Sequence, residues 1–392
     1  MMHYLKKFIK NKKNQILLII FILAICSLIT IYGVTPQLVG YGNDVIPKTF
    51  FIKQLIGFIA GFVIFIFILR LDLWKSEKLI NIVNLILIGM LLILAIDPPI
   101  IGDLFVLNIN GAKGWFKIPF LGSIQPIEFF KITMIFKLAS IADQAYQKDI
   151  SDKELIKEYI IYGAIPILCV LLQPDLGGAI LLLFPWLVIS LISLNNRNMV
   201  HKLVKFTLIG FAIIGLFVFV PALQKILIDF TPLKSYQLGR INSWLFPFTY
   251  DGGYQLQQSL VLMGSAGPFG FGFGNIHITL PEPHTDVIFS EFVGMFGYVS
   301  GAILILLYMR LLQLTLSVSK VATEYRDKLL IIGFFVLLFV QIGENIGMMI
   351  GLFPITGIVL PFMSYGLSAL ITYFAIIAII CNISQKYRAL EE

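Results

Sequence analysis

Charge is scarce in this 392-residue chain: 13% of its residues are Asp, Glu, Lys or Arg, against 58% that are hydrophobic. That balance excludes an ordinary soluble globular domain, in which about a quarter of residues are charged. Cysteine is nearly absent, and Cys26, Cys169 and Cys381 fall inside apolar runs at unrelated depths. Neither a disulfide framework nor a cysteine metal site fits that spacing, so buried small hydrophobes are expected. A Walker motif, a dinucleotide fingerprint and an internal repeat are all missing, which removes the usual carriers of nucleotide chemistry and solenoid architecture. Nothing resembles a cleavable signal: the first apolar run, Ile16 to Val34, is long enough to stay in a membrane.

Long apolar runs are what the chain has instead. A bilayer core takes about 20 apolar residues per helix, and the runs number about ten. They cover 15–33, 54–71, 79–96, 127–145, 159–173, 177–194, 205–228, 285–313, 329–350 and 361–383. The expected fold is all-α and integral to the membrane, one polytopic domain over residues 1–392. Basic residues set its orientation. Twenty of the 29 lysines and arginines, beginning with Lys6, Lys7, Lys10, Lys12 and Lys13, fall on the side of the N-terminus, and seven on the other. Excess Lys and Arg mark the cytoplasmic face. Residues 1–14 and 384–392 are therefore expected in the cytoplasm and the polar stretch 229–284 outside. The net charge of +7 reads as this orientation signal, not as a nucleic-acid patch.

The run Asn345 to Gly366 is too apolar for a solvated loop, yet Gly347, Gly351, Pro354, Gly357, Pro361 and Gly366 break any continuous helix. Irregular backbone at membrane depth is tolerated only where protein or a water-filled cavity satisfies it. A packed protein with a cavity near one face follows, a catalyst or transporter rather than an anchor. In the outward stretch 97–127, Trp115 and Phe116 between Lys113 and Lys117 suit the headgroup layer, as an interfacial anchor or as one wall of a lipid-headgroup site. The glycine-rich run Gly264 to Gly274 matches no known phosphate loop.

Ionisable groups at or inside the spans cost several kcal/mol unless paired or wet. Glu128 and Lys131 stand three apart on one helix face, an internal ion pair that could also line a cavity. Asp175, in Gln173-Pro-Asp-Leu-Gly-Gly178, is placed to cap the following helix. Glu344, just ahead of the broken segment, is expected to make local hydrogen bonds. Asp286, beside His284 where the long polar loop re-enters the membrane, is the best candidate for a general base at a cavity mouth.

Asn345-Ile-Gly, Pro354-Ile-Thr-Gly and Leu360-Pro-Phe-Met-Ser-Tyr-Gly366 stand near the C-terminus, after Gly111-Ala-x-x-Trp115-Phe, Gln125-Pro-x-Glu128, Gln173-Pro-Asp-Leu-Gly177, Arg240, Gly253-Tyr-Gln-x-x-Gln-Ser259 and Pro283-His-Thr-Asp286. Together and in this order these motifs resemble the SEDS family of RodA, FtsW and SpoVE. The short N-terminus leans toward the RodA type. The resemblance implies a multi-pass glycosyltransferase of the bacterial plasma membrane. It would polymerise lipid II into peptidoglycan for cell shape or division, alongside a class B penicillin-binding protein. Asp286 matches the essential aspartate, and Trp115, Glu128 and Arg240 match cavity positions, with Lys117, Lys131, His284 and Ser259 as further substrate-binding candidates. No cofactor is required by this reading; a divalent cation shared with a carboxylate is an alternative to lysines at the leaving group. Gly294 and Met295 stand where the family has Glu-Glu, and Leu367 where it has a second Gly. A flippase for lipid-linked precursors and a non-catalytic scaffold for a transpeptidase remain open alternatives.

Overall fold

The computed structural model describes residues 11–35, 48–71, 76–96, 105–109, 112–118, 122–220 and 235–388. The expected ends 1–10 and 389–392, residues 229–234 of the long loop, Gly111 of the Trp115 motif and Pro119 beyond it lie outside the described residues. The described residues form two compact units, residues 77–253 and the remainder.

The discontinuous unit holds α1 (Lys12–Gly33), α2 (Lys48–Leu71), α10 (Tyr254–Ser265), α11 (Ile288–Ser319), α12 (Tyr325–Met349) and α13 (Leu367–Arg388). Helices in lipid gain little from the hydrophobic effect and associate through small residues and close packing. α2 shows this directly. A Cβ at Gly61 would lie 2.2 Å from the Phe374 ring, and one at Gly57 3.1 Å from Leu370, so these two glycines let α13 press against α2. α11 is interrupted at Gly297, whose φ of 79° is open to glycine. The glycine-rich run docks its backbone on that interruption. Phe271 N donates to Gly294 O at 2.9 Å, Gly272 N to Met295 O at 3.1 Å and Tyr298 N to Gly267 O at 3.1 Å. Gly294 and Met295, the departures from the family pattern, are thus the seat of this loop, with Met295 fully buried.

The continuous unit holds α3 (Glu77–Ile96), strands β1 (Val106–Ile109), β2 (Ala112–Ile118) and β3 (Gly122–Ile124), then α4 (Pro126–Lys148), α5 (Asp152–Tyr159), α6 (Ile165–Leu172), α7 (Leu176–Ser193), α8 (Arg197–Phe219) and α9 (Ser235–Leu245). A five-residue π turn, Ile160–Ala164, joins α5 to α6 ahead of Pro166. Its Gly163 admits the Trp186 ring, and the indole donates to Tyr159 O at 2.9 Å.

Eight described helices are long and apolar enough to cross a membrane. Two expected spans are not among them. The span at 127–145 is α4, which carries Glu128, Lys131, Lys137 and Asp143; the tail of 205–228 lies outside the described residues. The small antiparallel sheet β1-β2-β3 was not expected from the sequence. The break also starts later than expected: α12 stays helical through Met349 despite Gly347, and the first positive φ falls at Gly351.

Candidate functional site

The broken segment, residues 350–366, has its backbone satisfied by side chains from α1, α2, α11 and α12. Asn345 Nδ2 donates to Ile358 O at 2.6 Å, and Gln341 Nε2 to Val359 O at 3.2 Å. Tyr308 OH donates to Pro361 O at 2.6 Å, Ser27 Oγ to Met363 O at 2.7 Å and Gln54 Nε2 to Ser364 O at 3.1 Å. Ser364 Oγ accepts from Leu360 N and donates to Thr285 O, both at 2.7 Å. These bonds meet the demand that buried irregular backbone be paired. They also tie the segment to the chain around Asp286, for Tyr365 N donates to His284 O at 2.8 Å.

Asp286 sits two residues ahead of α11. Its carbonyl accepts from Asn345 Nδ2 at 2.9 Å, and its carboxylate faces the broken segment: a Cβ at Gly357 would stand 3.4 Å from Oδ2. Gly357 has φ +83°, a backbone conformation that glycine adopts without strain. The sequence does not place two neighbours, Glu344 and Thr356, beside Asp286. Glu344 lies within electrostatic reach of Asp286 and accepts a hydrogen bond from Thr356 Oγ1.

His284 is buried between Phe50 and Tyr365, with ring centroids 4.1 and 5.4 Å away. Burial pushes its pKa down to about 4, so at neutral pH the ring is uncharged. An uncharged imidazole supplies a wall or a hydrogen bond, not a cation for phosphate. Below about pH 6.5 the unfolded chain takes up a proton that the folded ring refuses. Stability should therefore decline from that pH down to about 4, by about 3 kcal/mol in all. Thermal unfolding in detergent across this window should show the decline, and His284→Phe should flatten it; an unchanged slope would mean that His284 does not set it. Ser259, on α10, is fully buried: its Oγ lies 2.5 Å from Ser290 Oγ and donates to Met349 O at 3.2 Å. It ties α10 to α11 and to the end of α12.

The other candidates belong to the continuous unit. Lys131 Nζ lies 2.7 Å from Glu128 Oε1, both buried, one turn apart on α4. Asp175 caps α7 by accepting from Gly178 N at 2.7 Å. Its pKa is raised, first by desolvation and also by Glu128, while the Gly178 amide, Lys131 and Arg240 oppose the rise. Glu128, Lys131, Asp175 and Arg240 are thus one electrostatic group, in which the sequence marks Asp175 only as a helix cap. Gln173, whose Nε2 donates to Leu91 O at 2.9 Å, and Gly114 border it. Gly114 on β2 faces Gln125, Gln173 and Asp175. Side chains alternate along a strand, so the next residue, half-buried Trp115, and exposed Lys117 lie on the opposite face. Arg240 is half-buried on α9, inside what the sequence presented as a loop.

Residues 13–389 match the family model for the cell cycle proteins FtsW, RodA and SpoVE. The chain belongs to this family. It is 29% identical to stage V sporulation protein E of Bacillus subtilis, over 97% of this chain and 99% of that protein. It is 32% identical to a probable peptidoglycan glycosyltransferase FtsW of Wigglesworthia glossinidia brevipalpis, over 95% of this chain and 93% of the relative. Among solved structures, a chain of a peptidoglycan synthase complex coordinating polymerization and crosslinking matches with a TM-score of 0.70 at 21% identity, covering 95% of this chain and 97% of that one. The rod shape determining protein RodA of Thermus thermophilus matches with a TM-score of 0.61 at 20% identity, covering 95% and 96%. The expected helical membrane fold of the FtsW/RodA/SpoVE family is borne out, with the small sheet β1-β2-β3 added to it, and the chain is a multi-pass membrane protein.

Proposed function

We propose that this FtsW/RodA/SpoVE family member is a peptidoglycan glycosyltransferase that polymerises lipid II, with Asp286 as general base. The observation that carries the reading is the Asp286 carboxylate, set at the start of α11 and facing Gly357 of the broken segment, in a chain related along nearly its whole length to glycosyltransferases of this name. In the reaction the C4 hydroxyl oxygen of the acceptor's N-acetylglucosamine bonds to C1 of the donor's N-acetylmuramic acid. The bond from C1 to undecaprenyl pyrophosphate breaks with inversion, and the hydroxyl proton passes to Asp286. The departing pyrophosphate needs cations, and the Arg240 guanidinium is suited to grip two of its oxygens in parallel. Glu128, Lys131 and Trp115 are assigned to the sugar and headgroup, with Lys113 and Lys117 as supporting cations. His284 and Ser259 support the Asp286 region from within the protein.

Arg240→Lys tests the assignment. It keeps the charge and loses the planar fork, so purified protein given labelled lipid II should polymerise several-fold more slowly. A parental rate would remove Arg240 as a bidentate phosphate ligand.

The relation to a synthase complex and the family resemblance support a class B penicillin-binding protein as the partner that crosslinks the strands. Chemistry on lipid II for the wall must occur outside, with both termini in the cytoplasm. A cysteine at Thr249 in the long loop should react with an impermeant maleimide in intact spheroplasts; labelling only after permeabilisation would reverse the orientation.

A further inference from the structure

Glu344 is an acidic residue in the last two turns of the apolar helix α12, and the polymerisation chemistry above does not use it. It is buried on α12, and among the described residues its Oε2 has no hydrogen-bond partner. Burying an unsatisfied carboxylate oxygen is costly, so its presence needs an explanation. Its Oε1 accepts from Thr356 Oγ1, a residue of the broken segment. The next residue, Asn345, reaches the same segment: Nδ2 donates to Ile358 O at 2.6 Å and to the Asp286 carbonyl at 2.9 Å. Between these two anchors stands Gly357, at which a Cβ would lie 3.4 Å from Asp286 Oδ2. Asn345 fixes Asp286 and Ile358 together from one side, and Glu344 holds the other end of the same three-residue stretch.

We propose that Glu344 is a positioning residue that latches Thr356 and so seats the Thr356-Gly357-Ile358 strap against the Asp286 carboxylate. The strap then fixes the carboxylate's orientation and closes one side of it. The proposal rests on Asp286 being the base. Glu344 need not touch substrate, and only its ability to accept a hydrogen bond matters to the latch.

Four variants in the full-length protein test this. Glu344→Gln keeps the acceptor and should polymerise lipid II within about twofold of the parent. Glu344→Leu and Thr356→Val each remove the latch and should lower the polymerisation rate roughly 10- to 100-fold, as small misplacements of a reacting group do. The Leu/Val double variant should be no slower than either single one, because both remove the same bond. Glu344→Leu should unfold at the parent's temperature or higher, since it relieves a buried unsatisfied oxygen. Amide exchange at residues 355–358 should quicken in Glu344→Leu and not in Glu344→Gln, a readout independent of turnover. A parental rate in Glu344→Leu, multiplicative losses in the double variant, or a fall in unfolding temperature that tracks the loss of activity would each overturn the latch. Asp286→Asn runs alongside. If that variant polymerises, the base assignment falls by itself, and the amide exchange of Glu344→Leu alone decides whether the strap is latched.

Discussion

Asp286→Asn is expected to make no detectable glycan polymer while inserting, folding and holding its partner as the parent does. The substitution keeps the size of the side chain and leaves the backbone carbonyl that accepts from Asn345 Nδ2 at 2.9 Å. It also leaves the side chain facing Gly357. What it removes is a group able to take the acceptor's proton, and loss of a general base costs on the order of 100- to 10,000-fold in rate. The measurement is polymerisation of labelled lipid II by purified protein, together with extracted yield, thermal unfolding and co-purification of the transpeptidase. Activity and yield falling together would give Asp286 a structural role only. Substantial polymer from well-folded Asp286→Asn would end its assignment as the base.

Lys131→Met is expected to have the largest effect on stability. The ammonium is 1% exposed and 2.7 Å from Glu128 Oε1. Removing one partner of a buried pair leaves the other charge in a low-dielectric interior and costs about 3–5 kcal/mol, whereas replacing both with apolar or neutral groups is often nearly neutral. The loss extends to the neighbouring turn, because Lys131 is one of the groups that oppose the rise in the Asp175 pKa. Thermal unfolding in detergent should therefore drop sharply for Lys131→Met. It should recover in large part for Glu128→Gln/Lys131→Met. If the double variant unfolds as low as the single one, the stability comes from packing of the lysine stem and not from the pair. Polymerisation by the stable double variant then reports what the two charges contribute to substrate.

The sequence made the membrane architecture and the broken segment legible for one reason: Gly and Pro within an apolar run have few physical explanations. How the break is satisfied was not legible, because Ser27, Gln54, Tyr308 and Gln341 come from four different helices and are ordinary polar residues when read locally. The pairing of Glu128 with Lys131 and the capping by Asp175 could be read because both are local. The joining of Asp175 to Glu128, Lys131 and Arg240 into one charge group could not, since it depends on α4, α7 and α9 folding together. The sequence marks Glu344 as a local hydrogen-bonding residue, and it bonds Thr356, twelve positions on. Its nearness to Asp286 is a tertiary fact. The sheet around Trp115 escaped because its strands run three to seven residues and carry two lysines and two glycines among them. The glycine-rich run proved to be a docking loop because its amides meet the carbonyls of Gly294 and Met295 at a helix interruption, which the sequence marks only by Gly297.

The most direct test places the parent protein and Asp286→Asn in sealed vesicles with labelled lipid II and the partner transpeptidase, and scores glycan polymer and lipid flipping in the same sample. Polymerisation by Asp286 chemistry requires polymer from the parent, none from Asp286→Asn, and no protein-dependent flipping by either. Flipping without polymer from the parent would contradict the glycosyltransferase account and make the chain a lipid transporter.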